Sequence, residues 1–85
     1  MATLHSPRYR QFLERLRAAR RDAGLTQVEV ARRLGKPQSF VSKSENGERR
    51  VDAVEFADLA ALYGRKMEEI AVADVGARVG SRRHR

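Results

Sequence analysis

The chain has 85 residues, contains no cysteine and carries a formal net charge of +7. This length allows one small domain with a limited core, and the composition excludes disulfides and thiolate metal sites and disfavours a deep enzymatic cleft. The positive charge favours a polyanionic partner such as nucleic acid, although a merely soluble basic protein would carry it as well.

No apolar stretch approaches the length of a membrane-spanning helix, and the first ten residues, MATLHSPRYR, lack the apolar centre of a signal peptide. We therefore expect a cytoplasmic protein without a membrane partner. The two histidines, His5 and His84, lie near opposite ends of the chain, so no metal site and no cofactor are expected.

The charge is unevenly distributed along the chain. Residues 1–50 hold twelve Arg and Lys against five acidic residues, whereas residues 51–73 hold two against five. Residues 74–85 are basic again. This pattern predicts one cationic face, with the acidic part of the domain turned away from a polyanion.

Residues 1–8 have no apolar period and are predicted to form a flexible arm, although Ser6 and Pro7 could also cap and begin a helix. After them, apolar residues recur every three or four positions, which predicts an amphipathic helix that ends at Gly24. The apolar residues of this helix are Tyr9, Phe12, Leu13, Leu16 and Ala23.

A second helix is predicted immediately afterwards, because Thr26 and Glu29 have the spacing of a capping box. It comprises only about two turns before Gly35, so it must pack on its neighbours. The inward residues are expected to be Val30, Ala31 and Leu34. A small side chain at Ala31 would let the second and third helices cross closely.

The third helix is predicted between Pro37, which suits a helix start, and Gly47, which suits a helix end. Only Val41 is a clear core residue of this helix, and Ser44 and Glu45 are expected to face partly inward. Small polar side chains dominate the exposed positions, which are Gln38, Ser39, Phe40, Ser42 and Lys43.

Two further helices complete the prediction. Their apolar positions are Ala53, Phe56, Leu59, Ala60 and Tyr63 in the fourth, and Met67 and Ile70 in the short fifth. No strand pattern is present, so the predicted fold class is all-α, a bundle of about five short helices. The predicted domain covers residues 9–73, followed by a basic, disordered tail over residues 74–85.

A short helix, a turn with glycine and a second helix with a small polar outer face are typical of a helix-turn-helix, whose second helix enters the major groove of DNA. Small side chains let the helix lie close to the base edges. Glutamine, serine and lysine supply hydrogen bonds that the groove can match.

The stretches GLTQVEVARRLG (residues 24–35) and QSFVSKSENGERR (residues 38–50) together resemble the lambda-repressor-like, Cro/CI-type helix-turn-helix domains, also called the XRE family. The resemblance covers about residues 9–71. It rests on the combined spacing of Gly24, Gln27, Ala31, Gly35, Gln38, Ser42, Glu45 and Gly47. It implies a sequence-specific transcriptional regulator that occupies double-stranded DNA and catalyses no reaction.

The resemblance also implies roles for single residues. Gln27 stands at the start of the second helix, where the dipole favours a phosphate, and would hold the DNA backbone. Gln38 and Ser39 would contact bases, since glutamine can pair with adenine through two hydrogen bonds. Ser42 and Lys43 would face the same groove. The alternatives are helix capping or exposed filler for the serines and a solvated charge for Lys43.

Three further residues complete the expected DNA-binding set. Phe40 could touch a thymine methyl group or cover a neighbouring helix. Asn46 resembles the family asparagine that holds the DNA backbone, its alternative being a polar cap at the helix end. Arg49, in the following loop, suits a phosphate by its charge, its alternative being a solvated charge pair.

Glu45 looks out of place beside a polyanion. In the family, the glutamate at this position pairs with an arginine of the first helix, which corresponds to Arg20, and the pair holds the recognition helix on the bundle. The sequence departs from the family at Lys36, Pro37, Ser44 and Val51.

The sequence therefore indicates a DNA-binding transcriptional regulator, expected to be a homodimer whose contact lies within residues 51–72. The alternatives are an antitoxin that binds both DNA and a toxin partner, and a nucleic-acid coat without sequence preference. The carboxylates of the second half are interpreted as a solvated face: Asp52, Glu55, Asp58, Glu68 and Glu69. Arginines outside the domain could touch DNA or only aid solubility: Arg8, Arg78, Arg82, Arg83 and Arg85.

Overall fold

Five α-helices follow one another along residues 6–72, the part of the chain that the computed structural model of the protein describes. They are α1 (Pro7–Asp22), α2 (Gln27–Leu34), α3 (Gln38–Asn46), α4 (Ala53–Leu62) and α5 (Met67–Ile70). No strand occurs within this range. The predicted all-α class with about five short helices is confirmed.

The first helix begins at a capping residue inside the predicted arm. Ser6 accepts a hydrogen bond on its side-chain oxygen from the backbone N–H of Tyr9, and Pro7 occupies the first helical position. Pro7 and Arg8 therefore belong to α1 rather than to the arm of residues 1–8. Residues 1–5 of that arm and the tail of residues 74–85 lie outside the described residues.

The ends of α2 and α3 follow the predicted signals. Thr26 and Glu29 form a reciprocal capping box at the start of α2, with N···O distances of 3.1 and 2.8 Å. Gly35 and Gly47 end the two helices with φ values of 70° and 83°, a conformation that costs glycine little. Gly35 therefore begins the short turn that separates α2 from α3, and Gly47 begins the loop that follows α3.

The core lies where α1, α2 and α3 meet α4 and α5. Val30 is fully buried and Ala31 is 4% exposed, so α2 is packed on its neighbours over its inner face. The core cluster consists of Leu16, Ala19, Val30, Ala31, Val41, Leu59, Ala60, Tyr63 and Ile70. This packing leaves the outer face of α3 uncovered.

Three residues that the sequence analysis placed on apolar inner faces are exposed instead: Ala23, Ala53 and Met67. Ala53 and Met67 are the first residues of α4 and α5, and Ala23 directly follows α1, so all three lie at the edges of the packed helices. Tyr9 is half-buried, and its hydroxyl accepts a hydrogen bond from the backbone N–H of Val51 over 3.0 Å.

The fourth helix has a capping box that the sequence analysis did not identify. Asp52 accepts from the backbone N–H of Glu55 over 2.8 Å, and Glu55 accepts from that of Asp52 over 3.1 Å. These two carboxylates therefore start α4, in addition to lying on an acidic surface. None of the helices in residues 6–72 combines the length and the apolar character needed to cross a bilayer.

Candidate nucleic-acid interface

One polar surface stands out on the outer side of the bundle. It consists of the side chains along the outer face of α3, namely Gln38, Ser39, Ser42, Lys43 and Asn46, and we call it the α3 surface. Val41, Ser44 and Glu45 occupy the opposite, buried face of the helix. Four of these five residues are exposed, and Ser42 is half-buried.

A chain of hydrogen bonds joins the Gln38 edge of this surface to α2. The side-chain amide of Gln38 donates to Oε1 of Gln27 over 3.4 Å. The amide of Gln27 in turn donates to Oε1 of Glu45 over 2.9 Å. Two of the predicted DNA-binding residues, on different helices, are thereby brought together at the start of α2 and α3.

Glu45 is the centre of this network. Its carboxylate receives two hydrogen bonds from Arg20, from Nε over 2.6 Å and from Nη2 over 3.1 Å. Arg20 also donates to the backbone carbonyl of Leu25 over 3.0 Å. The pair is buried, with Glu45 at 3% and Arg20 at 8% exposure, so it ties α3 to the C-terminal end of α1.

The electrostatics of Glu45 are decided by its partners. Burial alone would raise the pKa of its carboxyl, but hydrogen bonds from Arg20 and Gln27 and the positive charges of Arg20 and Arg17 outweigh burial, so the pKa is lowered. The carboxylate is therefore charged and compensated within the bundle. It adds little net repulsion to a neighbouring phosphate.

Ser42 and Asn46 on the α3 surface also make only long contacts. The hydroxyl of Ser42 lies 3.5 Å from the carbonyl of Ser39, and the amide of Asn46 lies 3.5 Å from a carboxylate oxygen of Glu48. Both distances are at the long limit for a hydrogen bond. Their side chains are thus loosely held at positions where an incoming partner could engage them.

Phe40 lies at the other edge of α3 and packs against the core cluster. The guanidinium of Arg49 lies 4.4 Å above the centre of its ring, and the Lys36 ammonium lies at 5.3 Å. Of the two interpretations of Phe40, the geometry favours contact with its own bundle over contact with a thymine.

Arg49 has intramolecular partners in the structure. Its guanidinium forms two hydrogen bonds of 2.9 Å with the carboxylate of Glu55 and a third of 3.2 Å with the hydroxyl of Ser44. The bonds from Arg49 lower the pKa of Glu55. Arg49 thus joins the end of α3 to the start of α4. It forms the charge pair that was the alternative to a phosphate contact, with Glu55 as the partner and with both side chains partly buried.

Among residues 6–72, no three His, Cys, Asp or Glu side chains lie close enough together to hold a metal ion. The arrangement contains hydrogen-bond donors and acceptors on a protruding helix, next to a helix N-terminus. It can recognise a surface by contact, and its groups suit the edges of bases and the oxygens of phosphates.

Residues 11–73 match the family model described as a helix-turn-helix domain. A solved structure described as an XRE-family like protein from Pseudomonas syringae pv. tomato str. DC3000 is similar over 95% of this chain and 93% of that one, with 42% identity and a TM-score of 0.74. The chain belongs to the XRE-type helix-turn-helix family. No curated protein sequence is significantly similar to it.

Membership of the XRE-type family makes this chain a DNA-binding regulator in general terms.

Ser44, a departure from the family pattern, is 2% exposed. Its hydroxyl donates to the carbonyl of Phe40 over 2.6 Å and accepts from Arg49, so this buried polar group is satisfied. Another of the four departures, Pro37, leaves α3 without a side-chain cap.

Arg17 also belongs to the network around Glu45, although the sequence analysis did not identify it. Its Nη2 donates to the backbone carbonyl of Glu45 over 3.0 Å, and its Nε lies 3.5 Å from Oε1 of the same residue. A signal was present in the sequence, because Arg17 precedes Arg20 by three positions and so shares its side of α1.

Proposed function

We propose that the protein is a sequence-specific transcriptional regulator that inserts α3 into the major groove of an operator. The observation that carries the proposal is the α3 surface: small polar side chains on a helix whose reverse side is anchored by Val41 and by the Arg20–Glu45 pair. Gln38 and Ser39 read base edges, and Ser42 and Lys43 contact the same groove.

Gln27 contacts the DNA backbone in this proposal. It is the first residue of α2, where unpaired backbone N–H groups and the helix dipole favour a phosphate. The Gln38 amide lies 3.4 Å from the side-chain oxygen of Gln27, so the residue proposed to read a base is next to the residue proposed to hold the backbone. Asn46 provides a second backbone contact at the other end of α3.

In this proposal the regulator acts by occupying its site on DNA and catalyses no reaction. Because it must reach the DNA, we propose a cytoplasmic location. One helix reads only a few base pairs, and a two-fold dimer on half-sites about one helical turn apart would extend the sequence that is read. Val54 and Met67 are 71% and 39% exposed, and both lie within the acidic segment that we assign to the dimer contact.

Selection of bound duplexes from a random library tests the function directly. The protein should enrich a defined motif, and specific binding should exceed nonspecific binding by roughly a thousandfold or more. Gln38→Ala should lose preference at one base position while keeping most of the backbone affinity. Gln11→Ala, at an exposed position of α1, is the matched control and should keep the full motif. Equal binding of all duplexes would contradict the proposal.

Light scattering of the free protein and of its operator complex tests the dimer. We expect two copies on the selected duplex, and Val54→Asp should reduce this to one, because a charge would have to be buried in the contact. A single copy in both states would remove the dimer without affecting the assignment of α3.

A further inference from the structure

A notch of about 230 Å³ lies between α1 and the C-terminal end of α3. It is lined by Arg10, Leu13, Glu14, Arg17, Glu45 and Asn46. Arg10 and Arg17 project from one side of α1, two turns apart, and neither belongs to the DNA-binding set that the sequence indicated.

We propose that this notch binds a phosphate of the DNA backbone, held by Arg10, Arg17 and the amide of Asn46. The inference rests on the proposed function, since DNA is the source of the phosphate. It adds α1 to the DNA-binding elements and gives Asn46 two partners in its backbone contact.

The position of the notch follows from the size of the groove. A helix with its side chains is about 10–12 Å across and the major groove about 12 Å wide, so a helix in the groove lies against the flanking phosphates. Asn46 belongs both to the α3 surface and to the wall of the notch. A backbone strand that passes Asn46 therefore reaches the notch next.

Arg17 is already held in place for this role. Its hydrogen bond to the carbonyl of Glu45 lies at the C-terminal end of α3, the negative end of the helix dipole. Without that guanidinium, the helix end would repel a phosphate. The side chain is 33% exposed, and a guanidinium has five N–H donors, so donors remain for a second acceptor.

The two carboxylates of the notch differ in their effect. Glu45 is paired with Arg20 and its side chain is only 2% exposed. Glu14 is exposed, follows Arg10 by four positions and precedes Arg17 by three. This helical spacing puts its carboxylate within reach of both side chains, where its negative charge would oppose a phosphate. This arrangement predicts that removing the charge of Glu14 strengthens DNA binding.

Salt dependence of binding distinguishes a phosphate contact from a structural role. Arg10→Gln, Arg17→Gln and the double variant would be titrated with the selected duplex and with an unrelated duplex between 50 and 200 mM salt. For the double variant, the slope of log K against log salt should become less steep by about one, the value for one phosphate contact. Base preference should not change.

Arg15→Gln is the matched control, because Arg15 lies on the same helix but donates to the carbonyl of Ala71 beside α5. It should leave the slope unchanged, and Glu14→Gln should raise the affinity for both duplexes. Circular dichroism checks the fold of Arg17→Gln, and Arg10→Gln tests the notch at an exposed position.

The outcomes separate the two proposals. If the unmodified protein shows no preference among duplexes, the proposed function fails. If it has a preference but Arg10→Gln, the double variant and Glu14→Gln all behave like Arg15→Gln, the notch is not a phosphate site and the proposed function stands.

Discussion

The Gln38 edge and the Phe40 edge of α3 are attached to the bundle by different kinds of contact. On the first, a buried carboxylate on Glu45 joins α3 to α1 and α2 through Arg20 and Gln27. On the second, a half-buried guanidinium on Arg49 stacks on Phe40 and pairs with Glu55 of α4. The two ion pairs are chemically similar but should stabilise the fold to different extents, because Glu45 and Arg20 are buried whereas Arg49 and Glu55 are partly exposed.

Disrupting the buried Arg20–Glu45 pair should have the largest effect on the free energy of unfolding. Glu45→Gln keeps the side-chain volume but leaves the Arg20 charge buried without its partner, which costs about 3–5 kcal/mol in such pairs. Thermal or denaturant unfolding measures the loss. Glu48→Gln, an exposed carboxylate three residues away, should change the free energy of unfolding by less than about 0.5 kcal/mol. Equal effects of the two variants would contradict the difference between the edges.

Removing the Arg49–Glu55 pair should have an intermediate effect on the free energy of unfolding. The side chains of Arg49 and Glu55 are 33% and 21% exposed, so the ion pair is worth about 0.2–1 kcal/mol, and the stacking on Phe40 adds about 0.5–1 kcal/mol. Arg49→Ala should therefore lower the free energy of unfolding by about 0.7–2 kcal/mol. Its salt slope on DNA should match that of the unmodified protein, and a fall of about one would identify Arg49 as a phosphate contact instead.

The change in stability with pH that is linked to Glu45 should be the smallest effect. Because the folded pKa of Glu45 lies below its ordinary value of 4.5, its contribution to stability is fully present above that pH and is lost as the pH falls through the folded pKa. Unfolding measured from pH 6 to pH 3 should show a steeper loss for the unmodified protein than for Glu45→Gln. Parallel curves would show that the pKa of Glu45 is not shifted.

Much of the fold could be predicted because its signals are local. The capping box at Thr26 and the glycines at positions 35 and 47 act on their own backbone, so they place the ends of α2 and α3 without reference to the rest of the chain. The resemblance to a known family then paired Arg20 with Glu45, which the structure places in contact.

The parts that sequence reasoning missed depend on contacts between distant residues. Arg49 and Glu55 are six positions apart across a loop, and Arg17 reaches a backbone carbonyl 28 positions away. No local period specifies such contacts. Met67 was expected in the core, but α5 is a single turn in which Ile70 alone is buried.

Chemical-shift perturbation of the backbone amides on adding the selected duplex shows directly whether α3 is the helix in contact with DNA. We predict the largest shifts over residues 38–46 and at Gln27, and small shifts over α4, residues 53–62. Largest shifts in α4 and α5, with α3 unaffected, would contradict the account.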